Sequence, residues 1–175
     1  FIKACEKYGG ALVDVPAPAT CVTATWQVSP GRPEKVLAEK ARVHDVLIGN
    51  ATGQAAGQEA LKVIETALFD AGRPVLVVPR TTPASIGKNI LIGWNRTANA
   101  ARAVMAAMPL ITTAETVTIC HVDTGAKPGP SAEDLAVSLA WHGVDASVRH
   151  IAAGGAPVSD LIMTEAANNG GDLVI

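Results

Sequence analysis

The chain has 175 residues, 49% hydrophobic and 17% charged, a composition that builds a folded core and does not favour disorder. Its 14 Lys and Arg are scattered among 16 Asp and Glu, giving a formal net charge of -2 and a pI near 6.1, which removes the electrostatic case for nucleic acid. No apolar run approaches the ~20 residues that cross a bilayer and no basic segment precedes an apolar one at the start, so the expectation is a cytoplasmic protein without a membrane partner.

Phe1 to Cys5 reads as the last turns of a helix. Ala11 to Val15 and Cys21 to Val28 are extended stretches around Pro16-Ala17-Pro18, expected to form one strand with a decorated loop. Pro33 stands at a helix start, Glu34 to Ala41 has helical apolar spacing, and Asp45 to Ile48 reads as the next strand. Gly49 to Gly57 is a glycine- and alanine-rich connection. Glu59 to Ala71 repeats apolar residues at helical spacing, Gly72 and Pro74 end it, and Val75 to Val78 reads as a buried strand. The turn-forming Thr81 to Gly87 is a linker by composition.

Regular alternation follows: strand Ile90 to Trp94, helix Ala98 to Met108 capped by Thr97, strand Thr116 to Val122, helix Ala132 to Trp141, strand Ala146 to Ile151, helix Pro157 to Asn168, strand Leu173 to Ile175. Such alternation predicts a parallel sheet with helices on both faces, and ligands collect where the strand order of such sheets reverses. Gly154-Gly155-Ala156-Pro157 and Asn168 to Gly171 read as turns, not phosphate loops. Cys5, Cys21 and Cys120 are odd in number and lack C-x-x-C spacing, so they are expected to be buried small hydrophobes, neither a disulfide framework nor a zinc site.

The first 49 residues return, in pattern, near the end. Lys7-Tyr8-Gly9-Gly10 lines up with Trp141-His142-Gly143-Val144, and Asp45-Val46-Leu47-Ile48 with Asp172-Leu173-Val174-Ile175. The offset of roughly 130 residues implies a duplicated unit of about domain size. With no initiator Met and a strand running to Ile175, both ends read as cut from a longer tandem. The expected division is the back of one unit in residues 1–80, a linker in 81–87 and the front of a second in 88–175.

The second unit resembles the universal stress protein family. The resemblance rests on Ile90-Leu91-Ile92-Gly93-Trp94-Asn95-Arg96-Thr97, Ala100 to Val104, Val117-Thr118-Ile119-Cys120-His121-Val122, His142-Gly143-Val144, Gly155-Ala156-Pro157 and Asp172 to Ile175. Glu65 to Pro79 is similar to that family's closing helix and strand, so the whole chain resembles the middle of a tandem member. What the resemblance implies is an α/β fold of doubly wound parallel sheets, adenine-nucleotide alpha hydrolase-like, holding ATP or another adenine nucleotide as a regulatory ligand. It also implies an acidic residue after the first strand, main-chain contacts after the second, and a glycine loop after the fourth that cradles phosphate with its N–H groups.

Carried onto this chain, the resemblance places nucleotide contacts at Trp94, Asn95, Arg96, Thr97, Val122 and Asp123, with main-chain contacts at Val122. Asn95 stands where the family carries its acid: it accepts a hydrogen bond but brings no charge. Asn95-Arg96-Thr97 reads as well as a plain helix start, and Val122 as a core residue. A lone His121 reads as a hydrogen-bonded scaffold residue. The second unit's glycine loop would follow Ile175. In the first unit Gly49 to Gly57 lacks the following Gly-Ser or Gly-Thr, and Glu65-Thr66 would oppose phosphate, so that unit is expected to be degenerate for nucleotide, with a phosphate nest there the rival reading.

An enzyme would need a metal-binding carboxylate and a base converging on the pocket; Asp14 and Asp123 are the suggestive acids, both read as solvated loop residues, so no catalysis and no metal are expected. The competing class is a non-nucleotide tandem scaffold for protein contacts. Self-association or pairing of the two units is expected through Val75 to Val78, which otherwise reads as an interior strand.

Overall fold

Among the described residues, four parallel strands and the helices packed on them hold the best-buried side chains. The computed structural model describes residues 2–15, 20–50, 57–79, 81, 84–125 and 128–175, with only the backbone of 57–61 and 67. The chain divides into two compact units, residues 1–47 with 52–75 and residues 48–51 with 76–175.

In the first unit the elements are α1 (Ile2–Lys7), β1 (Ala11–Leu12), β2 (Thr23–Ala24), α2 (Pro33–Ala41) and α3 (Gly57–Asp70). The two stretches expected to form one strand instead lie side by side: β1 and β2 are parallel, Ala11 opposite Thr23 and Leu12 opposite Ala24. The Ala11 N–H donates to Val22 O and the Val13 N–H to Ala24 O. Pro16 to Pro18 lie outside the described residues. Among the described residues of this unit, the buried hydrophobics are Ala38 and Ala41 of α2 and Ala71 just after α3, small enough for the two helices to close on each other.

β3 (Leu47–Asn50) pairs with β4 (Val75–Val78) as a two-stranded sheet. β3 starts two residues later than the sequence suggests, because Val43 and His44 N–H still bond the end of α2 and use up the chain before it. Among the described residues β4 pairs with β3 alone and is half-covered, with Val77 exposed, where the sequence suggests a buried strand. Cys21 is exposed and Cys5 half-buried, a correction to the expectation for both; Cys120 is buried. Short paired strands leave one face open, whereas Cys120 has strands on both sides and helices over both faces.

The second unit runs β5 (Asn89–Gly93), α4 (Ala98–Ile111), β6 (Thr116–Asp123), α5 (Ala132–Ala140), β7 (Ala146–Ala152), α6 (Val158–Asn168) and β8 (Leu173–Val174). Strand order is β7-β6-β5-β8, every neighbour parallel. Alternation along each strand feeds two cores. Ile90, Ile92, Trp94, Val117 and Ile119 pack with Val104, Ile111 and Leu139 of α4 and α5, while Leu91, Cys120 and Val122 pack with Ala166 of α6 on the opposite face. Helix α4 continues past its expected end at Met108, with Pro109 in its last turn, where Thr112 N–H and hydroxyl both bond Met108 O.

The end of the linker belongs to this unit. The Asp172 carboxylate accepts from the Ser85 hydroxyl at 2.6 Å and from the N–H groups of Gly87, Lys88 and Asn89 at 3.0, 3.2 and 3.0 Å. Burial pushes its pKa up, but the hydroxyl and three N–H donors more than offset this and hold the group below the usual carboxylate range. Among the described residues, no helix is long and apolar enough to cross a membrane.

Candidate functional site

The strand order reverses between β5 and β8: β6 and β7 extend the sheet to one side of β5, and α6 then carries the chain back across to the other. The crevice at their carboxyl ends is where ligands collect in such sheets. Pairing continues to Ile175, whose N–H donates to Leu91 O at 2.9 Å and whose carbonyl accepts from Gly93 N–H at 2.7 Å. Gly93 lets the helix come close, since a Cβ there would stand 3.1 Å from Ile162 Cδ1.

All six residues predicted to contact nucleotide lie at the carboxyl ends of β5 and β6, but their side chains do different things. The Trp94 N–H donates to Cys120 O at 2.8 Å, and its indole is buried under α4 and α5, with Nε1 donating to Pro130 O at 2.9 Å. That ring cannot stack on a base in the crevice; what Trp94 offers is main chain. Asn95 is exposed, and its Oδ1 accepts from Thr97 N–H at 3.2 Å and Thr97 Oγ1 at 2.7 Å. The carbonyl oxygen is thus engaged within its own turn, and the amide NH2 is the part presented outward. Thr97 Oγ1 in turn caps α4 by accepting from Ala100 N–H at 3.2 Å.

Arg96 holds φ at 66°, the left-handed region that side chains avoid, and among the described residues no other non-glycine does so. The loop before α5 leans on it: a Cβ at Gly129 would lie 2.8 Å from Arg96 O and 2.9 Å from Arg96 Cβ. Backbone strain at a strand-end turn, braced by a neighbouring loop, is a pattern that clusters at ligand sites.

β6 outruns β5. Its register partners end at Gly93 opposite Cys120, and Val122 and Asp123 project beyond. Val122 buries its side chain against the α6 face, as its reading as a core residue expects. Since Cys120 O accepts from Trp94 N–H, strand alternation turns the main-chain groups of Val122 to that same side. Asp123 Oδ1 accepts from Gly125 N–H at 3.0 Å and closes an Asx turn.

His121 points Nδ1 at Trp94 O, 2.8 Å away, and its ring meets that of His150 edge to face at 5.8 Å. His150 Nε2 in turn lies 2.7 Å from Glu133 Oε1 in the first turn of α5. The hydrogen bond from His150 holds the Glu133 carboxyl down to about 2, helped by backbone and Ser131 hydrogen bonds. Burial, with a smaller push from Glu165, raises the Cys120 thiol above its ordinary range, which keeps it an unreactive core group. The scaffold reading of His121 was accessible from its isolation in sequence; its pairing with His150 depends on the β6–β7 register. Gly129, Pro130 and Glu133 carried no sequence signal, since they reach the site through a loop and a helix start.

A groove of about 290 Å³ between α4 and α5, lined by Met105, Met108, Leu135 and His142 among others, shares Trp94 with the predicted contacts and lies under the sheet face, away from the Asn95 turn. Among the described residues no group of three or more His, Cys, Asp or Glu is placed to hold a metal ion. In the first unit, residues 51–56 of the glycine connection lie outside the described residues.

No family model matches the chain, and no curated protein sequence matches it. Among solved structures, the chain is similar to a universal stress protein from Archaeoglobus fulgidus DSM 4304, with a TM-score of 0.65 and 15% identity over 87% of this chain. The chain spans 58% of that protein's length. At that identity the likeness establishes the fold: a parallel α/β sheet of the universal stress protein type.

Proposed function

We propose that the second unit binds an adenine nucleotide across the carboxyl ends of β5 and β6, beside the strand-order switch, and that the nucleotide acts as a regulatory ligand in a stress-response protein of tandem organisation. The observation that carries this reading is the overhang of β6, which sets the main-chain groups of Val122 toward the end of β5, where the chain turns through the strained Arg96 next to the strand-order switch. The residues fit the group through main chain and amide. Val122 offers backbone donor and acceptor for an adenine edge, and the Asn95 NH2 offers a donor to a ribose oxygen in place of the charge an acid would bring. Control would come from differential affinity of the nucleotide for two states of the protein, with no bond made or broken.

Calorimetric titration of ATP, ADP and AMP into the protein, with Asn95→Ala alongside, tests this. Saturable binding is expected, weakened in the variant, with the Val122 amide resonance moving on titration. No heat at millimolar nucleotide would overturn it.

A second reading is favoured by the apolar surface of the first unit, where Val22, Trp26 and Val28 are exposed, and by the half-covered β4 with Val77 outward. On that reading the protein is a tandem scaffold whose pairing surfaces these are. A null titration together with concentration-dependent self-association in sedimentation would favour it.

A further inference from the structure

We infer that His121 is a positioning residue which ends the β5–β6 ladder one bond early and thereby keeps the Val122 N–H open to a ligand. The last bond of that ladder is Trp94 N–H to Cys120 O. In a continuing parallel ladder the next would run from Val122 N–H to Trp94 O, because Cys120 and Val122 turn their main-chain groups to the same side. That bond is not made. Trp94 O is taken instead by His121 Nδ1 at 2.8 Å. A carbonyl oxygen only accepts, so the ring nitrogen facing it must carry the proton, whatever the state of Nε2.

The ring is held in that pose from behind. His150, its register partner on β7, meets it edge to face, and Glu133 fixes His150 from α5. The consequence is a chain of contacts from a helix start to a main-chain donor at the carboxyl end of β6, beside β5. His121 spends its own donor on Trp94 O, and the donor left over is the backbone N–H of a residue whose side chain is locked in the core. A ligand edge would therefore meet a rigid donor that needs no rearrangement, which is how preorganisation favours binding. The ladder device stands on the geometry alone; its use for an adenine nucleotide rests on the reading above.

Two measurements test it. In the unaltered protein, amide hydrogen exchange at Val122 should be faster than at Cys120, two residues earlier in the same strand, and nitrogen-15 shifts of the His121 ring at about pH 8, above the usual histidine range, should report a protonated Nδ1. In His121→Phe, which keeps the ring but lacks the donor, the Val122 amide should become protected by about fivefold, the scale of one net backbone hydrogen bond, while His121→Asn, whose amide can reach the same carbonyl, should restore fast exchange. Nucleotide affinity should fall with the first variant and return with the second. A bare Nδ1 in the unaltered protein, or unchanged Val122 exchange in the Phe variant, would overturn the proposal. Slowed exchange in a protein that never binds nucleotide would overturn the nucleotide reading and leave the ladder device in place.

Discussion

The two units share a sequence pattern and differ in what it builds. The two helix stops with similar sequence close in the same way: Gly9 at φ 71° and Gly143 at φ 78° let the next N–H reach back, Gly10 to Cys5 O at 2.8 Å and Val144 to Leu139 O at 3.2 Å. Past the stops they diverge. The second unit places β5 and β6 between neighbours on both sides and buries Leu91, Ile92 and Ile119 to 1% exposure or less; β1 and β2 have each other, and Leu12 stays 43% exposed. The two acids that precede apolar strands differ as well. Asp172 gathers four donors from the stretch leading into β5 and its first residue, whereas the Asp45 side chain makes no hydrogen bond among the described residues. A helix stop is written within six residues, so it repeats wherever the residues repeat. Burial and carboxylate capping are supplied by neighbouring strands, so they do not.

The largest test of this contrast exchanges the same side chain in both settings. Leu91→Ala should destabilise the protein by about 2–5 kcal/mol, since it empties a site closed by β6, β8 and α6. Leu12→Ala removes a half-exposed side chain and should cost about 1 kcal/mol or less. Urea unfolding of the two variants measures both; equal losses would mean that the first unit has a core its exposures do not reveal.

Next in size is the pair of acids. Asp172→Asn keeps the shape but loses the charge that draws in Ser85, Gly87, Lys88 and Asn89, and should cost about 1.5–3 kcal/mol near neutral pH. Asp45→Asn should stay within about 0.5 kcal/mol. The pH dependence has a definite sign. The folded pKa of Asp172 is depressed, so its contribution is whole above the unfolded value of about 3.9 and is lost as pH falls through the lower folded value. Unfolding curves for the parent and Asp172→Asn should therefore converge in acid, and a gap that persists unchanged there would show that charge is not what holds the segment before β5.

How much of this was legible in the sequence follows the same division. The βαβ alternation, the Thr97 cap and the glycine stops are encoded by residues within a turn of one another, and their elements lie within a few residues of where the pattern puts them. The doubling back of β1 against β2 was not legible, because it depends on pairing across residues 13–22 and the pattern there fits one interrupted strand as well as two short ones. At the site, the position of Asn95 and Val122 was readable and the direction of their groups was not. Only the fold shows that Asn95 Oδ1 is spent on Thr97, that the Trp94 ring turns away beneath α4 and α5, and that His121 stands opposite His150.

The smallest effect separates two helix starts that look alike. Glu34 in the first turn of α2 and Glu133 in the first turn of α5 each contact a cation-forming side chain at 2.7 Å, Arg32 and His150, and each has a lowered pKa. The causes differ in order. For Glu34 the leading cause is a hydrogen bond from its own backbone, with Arg32 behind it; for Glu133 it is the hydrogen bond from His150 across from β7. Replacing the partner should therefore act unequally. In His150→Ala, Glu133 should rise from about 2 toward the ordinary glutamate value of about 4.3, whereas Arg32→Ala should leave Glu34 depressed by the hydrogen bond from its own backbone. Carboxyl carbon-13 shifts followed against pH read both residues in one sample. Because a depressed carboxylate stabilises above its unfolded pKa and loses that effect as pH falls through the folded one, removing His150 moves the acid loss at α5 to higher pH. The local start of α2 has no comparable dependence on a distant strand, and if Glu34 moved as far as Glu133, the first unit would owe more to tertiary contact than its exposed strands imply.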